Sequence, residues 1–133
     1  MNATEAPARK SVIIVEDEPD TAEMFAEMVR LMGYEVRKAA GSSAAIYMIA
    51  QEQPDAVVLD WMLPDVSGME VLRYIRREPA TAHIPVIVVS AKGSPSDIHR
   101  GLEAGATVYL TKPVAFVDLL GAIERVAGVA RRE

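Results

Sequence analysis

Apolar and polar positions along the chain fall into two alternating patterns. Three runs are almost wholly apolar and rich in β-branched residues: Val12-Ile13-Ile14-Val15, Ala56-Val57-Val58-Leu59 and Val86-Ile87-Val88-Val89. None alternates with polar residues, so each predicts a strand buried on both faces, as in parallel sheets. Tyr34–Arg37 and Thr107–Leu110 are weaker strand candidates, and the charge in the first of them predicts an edge strand. The gaps read as helices. Pro19 opens the first, in which Met24, Phe25, Met28 and Met32 recur at helical spacing before Gly33 ends it. Ser42 or Ser43 caps a second, which runs through Ile46, Ile49 and Ala50. A third follows Gly68, with Met69, Leu72 and Ile75 inward and Glu70, Arg73, Arg76 and Arg77 outward. A fourth, around Asp97–Ala104, is weakened by Gly101. A fifth carries Phe116, Leu119, Leu120, Ile123 and Val126 on one stripe. Strand and helix thus alternate in a (βα)5 pattern, which predicts an α/β fold: a doubly wound, five-stranded parallel sheet with helices on both faces.

Length and composition narrow the function classes. The 133 residues suit one domain, read as a flexible tail over 1–10, a compact unit over 11–127 and a charged stub over 128–133. A composition of 50% hydrophobic and 25% charged residues excludes disorder of the whole chain. Fourteen Lys and Arg against 19 Asp and Glu leave a net charge of −5, which disfavours direct nucleic-acid binding. The absence of cysteine excludes a disulfide framework, a thiolate zinc site and a cysteine nucleophile. No apolar run approaches the roughly eighteen residues of a membrane span, and MNATEAPARK lacks the apolar core of a secretory leader. A soluble cytoplasmic protein that binds no membrane is expected.

The residues that follow the strands carry the chemistry. Glu16-Asp17-Glu18 follows the first strand, Asp60 ends the third, Ser90 ends the fourth, and Thr111-Lys112-Pro113 follows the fifth. In a doubly wound sheet, ligands bind beyond the carboxyl ends of the strands, where the strand order reverses. With the first and third strands side by side, Glu16, Asp17 and Asp60 crowd one crevice. Two carboxylates ~4 Å apart repel by roughly 4 kcal/mol at an effective dielectric near 20, and Lys112 alone does not neutralise three. A divalent cation supplies the missing charge, and an all-oxygen ligand set open to water suits Mg2+ better than zinc or copper. The plainer reading is of separate, solvated carboxylates, and it leaves their convergence unexplained. The same acidic turn repels the phosphates of a flavin or dinucleotide, and neither GxxxxGK[ST] nor GxSxG occurs.

Four segments, in order and spacing, resemble the response-regulator receiver domains of two-component signalling. They are Val-Ile-Ile-Val-Glu-Asp-Glu-Pro (12–19), Asp-Ala-Val-Val-Leu-Asp-Trp-Met-Leu-Pro-Asp-Val-Ser-Gly-Met-Glu-Val-Leu (55–72), Pro-Val-Ile-Val-Val-Ser-Ala (85–91) and Ala-Gly-Ala-Thr-Val-Tyr-Leu-Thr-Lys-Pro (104–113). The resemblance covers roughly residues 10 to 127 and implies a flavodoxin-like strand order, 2-1-3-4-5, either in a stand-alone, chemotaxis-regulator-like receiver or in a fragment of a longer regulator. It implies that Asp60 accepts a phosphoryl group from a sensor histidine kinase or a His-phosphotransfer protein. Mg2+, for which Mn2+ substitutes, is then held by Asp17, Asp60 and the main-chain carbonyl of Met62, with Glu16 assisting through water. Ser90 donates its hydroxyl to the phosphoryl group, Lys112 pairs with it, and Tyr109 follows the hydroxyl inward. Pro113 follows a cis peptide bond, and Pro64 and Gly68 are structural positions of the loop after Asp60. The implied output is a downstream protein bound by the face of the fourth helix, fifth strand and fifth helix, with the receiver a monomer or a phosphorylation-dependent dimer. Such a domain is a signalling element rather than an enzyme, able to catalyse its own phosphorylation from small donors and its own dephosphorylation. Glu16 stands where the family often has Asp, and Met62 and Lys92 occupy variable positions that tune the phosphate lifetime.

Two other functions fit part of the pattern. A Mg2+-dependent aspartyl phosphatase of the haloacid-dehalogenase type carries a second aspartate two residues after its nucleophile, and Met62 there cannot shuttle a proton. A phosphate-independent interaction module would keep full function without Asp60. Among the remaining residues, Trp61 is expected to point away from Asp60, as strand alternation requires. The methionines of the first helix are read as core filler with some exposure to a partner. His83 and His99 lack partners at ligand spacing, and Arg76-Arg77 reads as a solvated helix end.

Overall fold

A computed structural model describes residues 9–63 and 65–128. Five strands alternate with five helices: β1 (Ser11–Val15), α1 (Pro19–Leu31), β2 (Glu35–Ala39), α2 (Ser42–Glu52), β3 (Ala56–Asp60), α3 (Gly68–Arg77), β4 (Val86–Ser90), α4 (Pro95–Glu103), β5 (Val108–Thr111) and α5 (Phe116–Ile123). A π-helical turn, Glu124–Gly128, continues α5. All strand pairs are parallel, and the order is β2-β1-β3-β4-β5, the flavodoxin-like arrangement. β2 and β5 each begin one residue later than the apolar pattern placed them, and β2 ends two residues later. Of the expected tail, Lys10 already pairs with β2, its carbonyl accepting from the Glu35 N–H at 2.9 Å. The rest of the tail and stub, apart from Arg9 and the buried Gly128, lies outside the described residues.

The apolar strands divide their side chains between two layers. Val12, Ile14, Val58 and Ile87 face Phe25, Val29, Leu119 and Ile123 of α1 and α5. Ile13, Val15, Val57, Leu59, Val86 and Val88 face Ile49 of α2 and Val71, Leu72 and Ile75 of α3. Full burial of each such side chain contributes about 1.5–3 kcal/mol. β2 is the charged edge, with Glu35, Arg37 and Lys38 exposed.

Two helices bury faces other than those the spacing predicts, and a third is capped differently. In α1 the inward residues are Ala22, Phe25, Ala26 and Val29, while Met28 and Met32 are partly buried and Met24 is 46% exposed. The two alanines bring the helix close to the sheet and turn Met24 out. In α5 the stripe is Leu119, Ala122, Ile123 and Ala127, with Phe116 exposed and Leu120 and Val126 only partly buried. The wider π turn carries the inward register on to Ala127. In α2 neither serine is the cap residue. Gly41 holds that place without a side-chain bond, and the helix takes its capping from Asp65 on a distant loop.

Arg76 is also not a solvated end. From α3 its Nε donates to the Gly105 carbonyl at 2.9 Å, and its Nη1 to the carbonyls of Ala82 and Ile84 at 3.0 and 2.6 Å. It ties together the loops that lead into β4 and β5. Replacing it with Met keeps the apolar stem but leaves three carbonyls without their donor. Arg76→Met is expected to cost about 2 kcal/mol or more, read as a lower urea midpoint; an unchanged midpoint would show that water replaces the guanidinium.

Candidate functional site

The site forms because β1 and β3 are parallel neighbours, with Val15 opposite Leu59. Their carboxyl ends therefore release Glu16, Asp17 and Asp60 at one sheet edge. Carboxylate oxygens of these three residues all lie within 4.8 Å of one another. Glu16 is fixed by its N–H to the Ala39 carbonyl (3.0 Å), and its carboxylate accepts from the Glu18 N–H (3.2 Å). Glu18 caps α1, accepting from the Thr21 N–H at 2.7 Å. Asp60 is 3% exposed, and its Oδ1 accepts from the Met62 N–H at 3.1 Å. Asp17 is exposed, open to solvent at the mouth.

Lys112 faces two of these carboxylates. Lys112 Nζ lies 3.3 Å from Glu16 Oε1 and 3.6 Å from Asp60 Oδ1. Burial pushes the Glu16 carboxyl above its ordinary value, the neighbouring Asp60 charge adds to this, and the Glu18 N–H and Lys112 pull it back. Hard oxygen donors with excess negative charge fit a small divalent cation, so the residues present suit Mg2+.

Ser90 ends β4 fully buried, its Oγ accepting from the Lys92 N–H at 3.0 Å. The Lys112 N–H donates to the Ser90 carbonyl at 2.8 Å, which joins the ends of β4 and β5. The Lys112–Pro113 peptide is cis. Gly68 starts α3 directly under Asp60: a Cβ there would lie 2.6 Å from the Asp60 carbonyl oxygen. The Met62 side chain is exposed. Pro64 lies outside the described residues.

Residues 12–124 match the family model of the response regulator receiver domain. The chain belongs to this family. It is 39% identical over 123 residues to the phosphate regulon transcriptional regulatory protein PhoB of Pseudomonas aeruginosa, covering 92% of this chain and 52% of the relative. The probable transcriptional regulatory protein TcrX of Mycobacterium tuberculosis is 39% identical over 110 residues, 83% of this chain and 46% of the relative. The receiver thus spans about half the length of the curated relatives it matches. Among solved structures, a putative response regulator from Chloroflexus aurantiacus superposes with a TM-score of 0.86 at 33% identity, over 91% of this chain and 99% of that one. The receiver domain of a Pseudomonas aeruginosa sensor histidine kinase, described with a magnesium ion coordinated in its active site cleft, superposes at 0.83 with 29% identity, over 91% and 99%. Receiver domains act as phosphoacceptors, bind Mg2+ at the acidic site and interact with histidine kinases.

Two features of this receiver escaped the sequence pattern. Trp61 does leave the crevice, yet it is no spectator. It is half-buried in the layer of α2 and α3, and it meets Tyr109 edge-on, with ring centroids 6.3 Å apart and planes at 71°. The Tyr109 hydroxyl donates to the Lys92 carbonyl at 2.6 Å, and its ring lies against Gly101, where a Cβ would come within 2.6 Å of Cδ2. Gly101 reads as a helix weakness in the sequence and is a seat for Tyr109 in the fold. Gly101→Ala is therefore expected to expel the ring and remove its contact with Trp61, read as a shift of Trp61 emission. Unchanged emission, with Tyr109 still bonded to Lys92, would refute the steric role.

The second feature is Asp65. Its Oδ1 accepts from the Ser42 N–H at 3.1 Å and its Oδ2 from the Ser43 N–H at 3.4 Å. The Ser42 N–H, more than any other group, draws the Asp65 carboxyl down to about 2. No periodic signal marks an aspartate that caps a helix more than twenty residues before it.

Proposed function

We propose that this receiver takes a phosphoryl group onto Asp60 from a phosphohistidine of a sensor kinase or His-phosphotransfer protein, in the cytoplasm. A carboxylate oxygen of Asp60 attacks phosphorus, the phosphorus–nitrogen bond breaks, and the imidazole nitrogen leaves with its electron pair. The observation that carries this reading is the buried Asp60 carboxylate, set between Glu16, Asp17 and Lys112 at the carboxyl ends of the neighbouring strands β1 and β3. Glu16, Asp17, Asp60 and the Met62 carbonyl would hold Mg2+, which when bound offsets the charge of the carboxylates and phosphoryl oxygens. Lys112 meets the negative charge from the β5 side. The Ser90 oxygen accepts from the Lys92 N–H, which leaves its hydroxyl proton to donate to a phosphoryl oxygen. Because Lys92 bonds Ser90 through its N–H and Tyr109 through its carbonyl, a shift of Ser90 toward the phosphoryl group would be passed to α4 and β5.

The output surface in this reading is the α4–β5–α5 face, which exposes Leu102, Phe116 and Val117 and takes a downstream protein partner. Intact mass after incubation with a small phosphodonor tests the reading. The expected result is a gain of one phosphoryl group with Mg2+ and none with a chelator. A chain that stays unmodified under both conditions, with its fold intact, favours a phosphate-independent interaction module instead.

A further inference from the structure

The loop between β3 and α3 follows Asp60 directly, and its placement governs what its main chain presents to the site. Two hydrogen bonds anchor its ends: the Met62 N–H to the Asp60 carboxylate, and the Gly68 N–H to the Trp61 carbonyl at 3.0 Å. The outer part of the loop is held elsewhere. The Asp65 carboxylate accepts from the N–H groups of Ser42 and Ser43, and the fully buried Ser42 hydroxyl donates to the Val66 carbonyl. Gly41 completes the contact, since a Cβ there would lie 3.3 Å from Asp65 Oδ2. All three bonds run one way, from donors on α2 to acceptors on two successive residues of the loop.

We propose that this Ser42–Asp65 latch is a positioning device for the phosphoacceptor site: by fastening the loop to the N-terminus of α2, it sets the Met62 main chain beside Asp60 for cation binding. The inference rests on the reading of Asp60 as phosphoacceptor. A helix cap that merely stabilises α2 would work as well from a serine at the cap position, but Gly41 stands there. Instead Ser42 spends its hydroxyl on the loop, and the cap comes from the loop's own aspartate. The arrangement makes loop position and α2 one unit. Asp65 and Ser42 touch no reacting group and act through the loop main chain that carries Met62.

The test compares Asp65→Ala, Ser42→Ala and the conservative Asp65→Asn in the full chain. Asn keeps an amide oxygen able to accept from Ser42. Three quantities are read: amide exchange over 61–67 with chelator present, Mg2+ affinity from Trp61 fluorescence, and phosphoryl uptake at low and saturating Mg2+. The expected result for the Ala variants is faster exchange in the loop, Mg2+ affinity weakened by about tenfold, and uptake largely restored at saturating Mg2+, with Asp65→Asn close to wild type. Variants that lose thermal stability but keep wild-type Mg2+ affinity overturn the proposal and reduce the contact to a helix cap. If Asp65→Ala does not fold, Ser42→Ala and Asp65→Asn decide by the same affinity comparison. A wild-type chain that takes up no phosphoryl group overturns the reading of the site itself, an outcome separate from a latch variant that behaves as wild type.

Discussion

Asp60→Asn is expected to abolish phosphoryl uptake while leaving the fold intact. The substitution keeps the shape of the side chain and an oxygen able to accept from the Met62 N–H. It removes the anionic oxygen that attacks phosphorus, and an amide is no substitute nucleophile. It also removes one of three carboxylates crowded within 4.8 Å, so relief of repulsion leaves the melting temperature equal or higher. Loss of uptake together with undiminished stability separates a chemical role from a structural one. Intact mass with a small phosphodonor and a thermal melt measure the two sides. Phosphoryl gain persisting in Asp60→Asn would place the acceptor elsewhere, with Asp17 the first residue to examine.

Gly68→Ala is expected to have the largest effect on stability. A Cβ at this position would stand 2.6 Å from the Asp60 carbonyl oxygen and 2.8 Å from the Trp61 Cα. Both are main-chain atoms at the end of a buried strand, and neither yields by rotating a bond. Relieving the overlap requires α3 to slide away from β3, which opens the layer formed by Val71, Leu72 and Ile75. A cost of about 3 kcal/mol or more follows, a fall of roughly 10 °C in melting temperature for a domain of this size. Gly121→Ala is the control. That glycine is exposed on α5 and an added Cβ meets nothing within 4 Å, so better helix propensity raises stability by about 0.5–1 kcal/mol. Equal melting of both variants would show that the β3–α3 junction adapts.

The sheet was readable from the chain because its three central strands are apolar on both faces, as Val12–Val15, Ala56–Leu59 and Val86–Val89 are. A strand buried on two sides leaves an unambiguous pattern. Helix faces were less so: α1 offers methionines, alanines and Phe25 around most of its circumference, and packing distance selects among them. The candidate site was visible wherever residue type and strand end coincide, as for Glu16, Asp60, Ser90 and Lys112. Contacts between residues far apart in sequence were not. The seat of Tyr109 on Gly101 depends on how α4 lies over β5, the grip of Arg76 on three carbonyls depends on two loops, and the pairing of Asp65 with Ser42 depends on loop placement. None of these leaves a period or a spacing to find.

The charged margin at β2 limits how copies of this domain meet. A second chain that continued the sheet there would have to set its own backbone against a row carrying Glu35, Arg37 and Lys38. At the opposite margin β5 is a strand of four residues, too short to template a long ribbon. Growth by strand addition, the route to fibrils, is thereby discouraged at both borders. That leaves the helical surfaces, rather than the sheet borders, for contact between copies.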